Sequence, residues 1–312
     1  MARQRWRAAV AEPGRWWTYQ RERFPIFGHG PLVLAFSLSA ASYSSLLRGE
    51  GTLPSFWIGA AAFASALLFF FQLRIADEFK DFDDDRRFRP YRPVPRGLVS
   101  LRELGWVGVG TAVVQTGIAL AVKPALLVIL VAVWAYLALM SIEFGVPAWL
   151  KARPVAYMLS HMLIMPAIDF YVTAFDWLVH DAGVPYGLHW FLIVSFVNGI
   201  VIEIGRKVRA PQDEQEGVET YSALWGRARA TWVWLAAVAL CGAFAWLAAR
   251  EIAFAWRASV VLALLMAAAL GVALRFLASP TTQNAKAIEL MAGVWTLGMY
   301  TTVGLLPLAW TA

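Results

Sequence analysis

Nine apolar stretches alternate with short polar segments along this chain, beginning near Leu32, Leu53, Leu104, Ala125, Pro154, Leu188, Thr231, Ser259 and Ala287. A membrane-spanning helix takes about 20 mostly apolar residues, because in lipid every backbone N–H and C=O has to be satisfied inside the segment. The pattern predicts an all-α, polytopic membrane protein with nine transmembrane helices. Its loops carry Gly, Pro or charge, and none is isolated enough to suggest a separate soluble domain. Ahead of the first stretch, RWWTYQRERF mixes Trp16, Trp17 and Tyr19 with arginines and has no apolar core of the signal-peptide kind. It reads as an interfacial helix on the cytoplasmic leaflet, or alternatively as a gate over a cavity. The expected organisation is a cytoplasmic N-terminal interfacial segment over residues 1–30 and a transmembrane domain over residues 31–312.

Composition agrees with this pattern, since 60% of the residues are hydrophobic and only 15% charged, far from the soluble average. The single Cys241 sits in an apolar run, which excludes an internal disulfide and suggests neither zinc nor thiol chemistry. Charge then sets the orientation. Of the 27 Lys and Arg, only Arg48, Lys123, Arg250 and Arg257 fall on one side of the alternation, and the other 23 fall before the first stretch or in alternate loops. Basic residues near helix ends stay in the cytoplasm. The N-terminus is therefore expected inside and the C-terminus on the opposite side, in a bacterial inner membrane. The net charge of +6 then faces anionic lipid headgroups and calls for no nucleic acid.

Candidate chemistry begins after the second stretch, at RIADEFKDFDDD. Asp77, Glu78, Asp81, Asp83, Asp84 and Asp85 lie within nine residues. On a continuous helix Asp77, Asp81 and Asp85 would share an arc of about 80°. Like charges at that spacing repel, and Arg74 and Lys80 are too few to neutralise them. A divalent cation is one remedy. Mg2+ favours one or two carboxylates, several waters and phosphate oxygens. The plainer alternative is a solvated loop with RRFR as its counterions. Arg86, Arg87, Arg89, Arg92 and Arg96 follow within eleven residues, and Pro90, Pro93 and Pro95 stop any helix there. Guanidinium groups suit bidentate phosphate contact, so acids and arginines together suggest a diphosphate site. Topology and lipid binding alone would also account for some of these arginines.

With these residues the chain resembles the UbiA superfamily of intramembrane prenyltransferases. Asp77, Asp81 and Asp85 look like the first aspartate-rich family motif, and Arg92, Pro93 and Gly97 match a downstream R-P-x-x-x-G pattern. The resemblance implies a UbiA-like bundle of nine helices with a central cavity open to the cytoplasmic side. It also implies Mg2+ as cofactor, and a prenyl diphosphate and a hydrophobic acceptor as substrates. Asp77, Asp81, Asp85 and Asp213 become the expected catalytic metal ligands, with Glu203 as a further one. Arg74, Lys80, Arg89, Arg92, Lys151, Arg153, Arg206, Lys207 and Arg209 become the expected diphosphate ligands. The second motif departs from the family pattern. Anchoring EIGRKVRAPQDEQEGVETYSALWG on Gly217 and Thr220 puts Asp213 on the last family aspartate but Arg206 and Arg209 on the two earlier ones. Either these cations bind the diphosphate directly in place of one metal, or the protein binds a phosphorylated lipid without turning it over.

Ionisable groups within spans are expensive and point to function by default. His161 and Asp169 are eight residues apart and can both face the bundle interior, with Pro166 as a kink between them. Each is read either as a substrate contact or as a hydrogen-bonded structural residue. Glu143 and Glu289 have similar or weaker claims, and Asn198 and Gln115 read as interhelical bonds. The leading expectation is Mg2+-dependent transfer of a prenyl group to an unidentified hydrophobic acceptor, aromatic acceptors included. The rivals are a terpene cyclase, which needs no acceptor, and a non-catalytic lipid-phosphate binder or transporter.

Overall fold

The computed structural model describes residues 14–311, and the first thirteen residues of the interfacial segment lie outside that range. Among the described residues every regular element is helical. In chain order they are α1 (Arg15–Arg23), α2 (Ile26–Leu47), α3 (Phe56–Lys80), α4 (Phe82–Phe88), α5 (Leu101–Val122), α6 (Leu126–Ser141), α7 (Pro147–Lys151) and α8 (Pro154–Met162). Then come α9 (Ile164–Trp177), α10 (Leu188–Arg206), α11 (Tyr221–Trp225), α12 (Arg227–Glu251), α13 (Ala255–Ala278), α14 (Thr282–Tyr300) and α15 (Leu308–Thr311).

Seven runs are long and apolar enough to cross a membrane: α2, α3, α5, α8 with α9, α10, α12 and α13. This makes the chain a multi-pass integral membrane protein, but two of the nine expected stretches fall short of the criterion. Helix α6 is apolar but has only 16 residues. Helix α14 opens on TQNAKAIE, whose polar side chains dilute its hydropathy before it runs into a π-helical turn at Thr301–Leu305.

Burial separates centre from rim. Helices α2 and α10 bury 61% of their apolar windows inside the protein, whereas α5 and α13 bury 17% and 22%. The rim helices present Val109, Val113, Leu120, Val260 and Leu264 outward, as lipid requires of a surface with no water to hydrogen-bond. Close approach at the centre needs small residues. A Cβ on Gly304 would land 2.5 Å from the Cα of Ser39, so the π turn lies directly on the α2 backbone.

Polar ties cross the bundle at three depths. Gln115 on α5 accepts from Gln72 Nε2 at 2.7 Å and donates to the Ser65 carbonyl at 2.9 Å, both on α3. Thr296 donates to Asn198 at 3.1 Å, so both amides join helices as the sequence suggests. Tyr300 donates to Asp169 at 3.0 Å. The end of the bundle away from the acidic motif is fastened by Arg48, whose Nε and Nη2 each bond Asp176 at 2.9 Å, with Ser44 adding a bond of 2.6 Å.

The span Pro154–Trp177 is broken at Leu163, where α8 gives way to α9. Pro166 explains the break: it has no N–H for the Met162 carbonyl four residues back, and its ring crowds that oxygen. Helix α1 docks on the bundle through Tyr19, which is fully buried, and through ion pairs from Arg15 to Glu103 at 2.6 Å and from Arg23 to Glu78. Glu103 is itself fixed by the capping box that starts α5, accepting the Ser100 N–H at 2.8 Å.

Candidate functional site

The acidic run lies where α3 ends. The chain kinks at Asp81 (φ −92°, ψ 6°), although the Asp81 N–H still reaches Asp77 O at 2.9 Å and the Asp85 N–H reaches Asp81 O at 2.8 Å. Beyond the kink, Asp83, Asp84 and Asp85 occupy the first turn of α4 and Arg86 and Arg87 its last, an order favoured by the helix dipole. The kink splits the acids into two settings, so the single arc expected of Asp77, Asp81 and Asp85 is not kept.

Asp77 and Asp81 form one setting. The Asp77 carboxylate is 39% exposed and its nearest cation is Arg74 at 3.4 Å. Asp81 accepts no side-chain hydrogen bond from the described residues. Burial, and after it the charge of Asp77, holds the Asp81 carboxyl above the usual aspartate range. Asp85 is different. It is fully buried, accepts both Oδ contacts of Arg92 at 2.7 and 2.9 Å, pairs with Arg89 Nε at 2.8 Å, and has Arg23 at 3.9 Å. Three guanidiniums on one carboxylate make a rigid anchor that ties the arginine-rich loop and α1 to α4.

The end of α10 faces the first setting. Glu203 is buried and accepts from Arg206 Nε and Nη2 at 2.7 and 2.6 Å and from Lys207 Nζ at 2.8 Å. Its carboxylate is thereby occupied by two cations. Arg206 also lies within electrostatic reach of Asp77 and Arg74. Its side chain is 47% exposed at the end of α10. Lys207 sits 5.6 Å over the ring of Tyr221, whose hydroxyl is pushed up in pKa by burial and then by Glu203. On the third side, Lys80 Nζ bonds the Tyr157 hydroxyl at 2.6 Å and lies 3.6 Å from Glu143.

The remaining sequence-predicted residues sit further out. Asp213 accepts from Thr282 at 3.0 Å, and Arg209 pairs with Glu289 at 3.4 Å, both partners being on α14. Lys151 lies 3.9 Å from Asp84, and Arg153 stacks on Trp149. The two loops that carry the motifs nonetheless touch: Gly217, at φ +73°, has the ring of Phe88 where a Cβ would be, 2.5 Å away. The sequence pattern left out Tyr157, Tyr221 and Arg23, and gave Glu78 only as a member of the acidic run. A hydroxyl or an ion pair among so many aromatics and arginines carries no spacing signal.

Among the described residues no three carboxylates, imidazoles or thiolates converge as a metal cage. The Asp77 and Asp81 pair nevertheless fits Mg2+, a hard ion that takes one or two carboxylates and fills its remaining positions with water and phosphate oxygens. Arg74, Lys80 and Arg206 around the pair supply donors for such a phosphate. Two cavities lie elsewhere. One of 520 Å³ is lined by Ser222, Trp225, Arg227, Arg229 and Phe276, and a lateral one of 310 Å³ lies between α3, α5 and α6.

Known proteins share this architecture. An apo UbiA homologue from Aeropyrum pernix K1 superposes with a TM-score of 0.66 at 16% identity, covering 89% of this chain and 98% of that one. A digeranylgeranylglyceryl phosphate synthase superposes with a TM-score of 0.57 at 14% identity, over 93% and 98% of the two chains. A UbiA homologue from Archaeoglobus fulgidus, bound to DMAPP and Mg2+, gives 0.52 at 14% identity, over 89% and 100%. At such identities the likeness speaks for the fold. Among curated protein sequences none matches the chain. The model of the UbiA prenyltransferase family matches residues 31–310, and with nearly the whole described bundle inside that match, the chain belongs to the UbiA family and is an intramembrane prenyltransferase.

Proposed function

We propose that this prenyltransferase grips a prenyl diphosphate at the recess between the ends of α3 and α10 and transfers its chain to a hydrophobic acceptor. The observation that carries this reading is the meeting of two sparsely bonded carboxylates, Asp77 and Asp81, with Arg74, Lys80 and Arg206 from two different spans. Mg2+, when held by Asp77 and Asp81, supplies positive charge to the leaving diphosphate. The DMAPP and Mg2+ bound to the Archaeoglobus homologue support the same pairing of ligands.

In this reading the side chains divide the work. Glu203 holds Arg206 and Lys207 at the recess, where their donors meet the phosphate oxygens. Asp85 positions Arg89 and Arg92, and does not coordinate metal. Asp213 and Arg209 brace the loop against α14. The apolar bundle shields the developing allylic cation from water. The recess faces the cytoplasm, with α6 and α14 completing a nine-span bundle around a central cavity and the C-terminus on the opposite side of a bacterial inner membrane. The excess of basic residues at the recess end supports that orientation.

Purified protein with Mg2+, a series of prenyl diphosphates of increasing length and a cell extract as acceptor source should release diphosphate with at least one chain length. A chelator should abolish the release. Release without any extract, with a cyclised product, would favour the cyclase reading. Binding of every chain length with no release would leave only the binder.

A further inference from the structure

Helix α6 ends in an unusual turn. Glu143, Phe144 and Gly145 adopt φ of +52°, +52° and +74° in succession, a region that L-residues resist. Strain of this kind persists where the surroundings over-determine it, and it clusters at functional sites. The turn tucks the Glu143 carboxylate inward, leaving its side chain 9% exposed. There Oε1 accepts the Tyr157 hydroxyl at 3.1 Å, while Oε2 faces His161 Nε2 at 3.4 Å with no other hydrogen-bond partner for either atom.

The protonation of this pair follows from the other ring nitrogen. His161 Nδ1 lies 2.9 Å from the Tyr157 carbonyl. A carbonyl can only accept, so Nδ1 carries the hydrogen. A neutral ring would then turn the Nε2 lone pair toward a carboxylate oxygen, two acceptors face to face. The contact is attractive only with a proton between them, on Nε2 or on Oε2. The Tyr157 ring stacks on His161 with centroids 3.9 Å apart, so the pair is closed on that side. The groups around it are Lys80 and, at longer range, Asp77 from α3, Ser160 and Tyr157 from α8, and Tyr136, which bonds the Ser160 carbonyl at 2.6 Å. Tyr157 is the open end of the chain, because its hydroxyl also accepts from Lys80 beside the diphosphate recess.

We propose that Tyr157, Glu143 and His161 take up the proton that a hydroxyl-bearing acceptor, an alcohol or a phenol, loses during transfer. This inference rests on the prenyl-transfer function proposed above. The acceptor oxygen forms a bond to the first carbon of the prenyl chain, and the bond from that carbon to the diphosphate oxygen breaks, its electron pair leaving with diphosphate. The acceptor O–H proton passes to the free lone pair of the Tyr157 hydroxyl as Tyr157 hands its own proton to Glu143 Oε1. For Glu143 to act as the sink, the shared proton rests on His161 Nε2, which leaves Glu143 anionic and correctly turned until that moment. Tyr157 is the catalytic residue of the three, and Glu143 and His161 act through it.

The test uses the full-length protein in lipid nanodiscs, the prenyl diphosphate that the parent consumes, and total membrane extract as acceptor source. Glu143→Gln keeps the shape but removes the proton sink. It should lower kcat about 100-fold, leave KM for the prenyl diphosphate unchanged, and abolish the acid limb of the pH–rate profile. His161→Gln should lower kcat in the same direction, and it serves as the readout if Glu143→Gln does not fold. A raised KM at unchanged kcat would show that Glu143 merely positions Lys80, and parental kinetics in both variants would exclude the relay; either result overturns the inference while transfer itself stands. A parent that releases no diphosphate with any chain length sinks the transfer reading and the relay with it.

Discussion

The Asp81 carboxylate is the residue on which metal and pH should meet. Its raised folded pKa comes from burial and from Asp77, so its favourable contribution to stability is complete below the unfolded aspartate value and is lost as pH rises through the folded one. At neutral pH without metal the pair is a net strain. Asp81→Asn should therefore raise the thermal midpoint slightly in chelator, by roughly 0.5 kcal/mol of relieved repulsion, and should erase the stabilisation that Mg2+ gives the parent. Thermal unfolding in detergent across pH 5–8, with and without Mg2+, checks both signs, and a variant that still gains from Mg2+ would remove Asp81 from the metal site. Spacing pointed to Asp77, Asp81 and Asp85 alike. It could not show that Asp85 is spoken for, because two of its three arginine partners lie past the kink and the third, Arg23, comes from a separate helix. Glu143 was legible only as an ionisable group near a span and Tyr157 not at all, since the two meet through a left-handed turn that hydropathy does not encode.

At the scale of helices and loops, the apolar runs and basic loops made most spans legible. Gly, Pro and charge mark their ends, and Pro166 marked the break in the span Pro154–Trp177. What the pattern overstated was uniformity. Helix α6 is short because it stops at the Glu143–Gly145 turn, and α14 is polar at its start because Asp213 and Arg209 lean on Thr282 and Glu289 there. The second-motif glycine is informative for a physical reason: Gly217 combines positive φ with the Phe88 ring at the position of a Cβ. Gly217→Ala should lose about 1–3 kcal/mol through strain and overlap. Because Phe88 follows the acids directly, the variant should also raise KM for the prenyl diphosphate. Unfolding midpoints and steady-state kinetics on the same preparation check the pair of effects, and a stable variant with parental KM would show that the two loops do not depend on each other.

Over the whole molecule, charge is segregated by end. The recess end gathers Asp77, Asp81, Glu203 and their cations, while the far end has the Arg48–Asp176 clamp. Arg48→Ala leaves the buried Asp176 with Ser44 and His180 as its side-chain neighbours, and breaking such a pair costs about 3–5 kcal/mol. The unfolding midpoint should fall sharply while KM for the prenyl diphosphate in the surviving folded fraction stays at the parental value; a shifted KM would mean that the two ends are coupled. The contact between Phe88 and Gly217 has a consequence of another kind, for biosynthesis. Phe88 leaves the ribosome just after α3 and Gly217 only after α10, so the acids are inserted long before the loop that Phe88 packs against. If the acids act as proposed, a nascent chain halted between those points presents them at the membrane surface without the loop that completes the site, and stalled translation products would leave the cell's isoprenoid pool untouched.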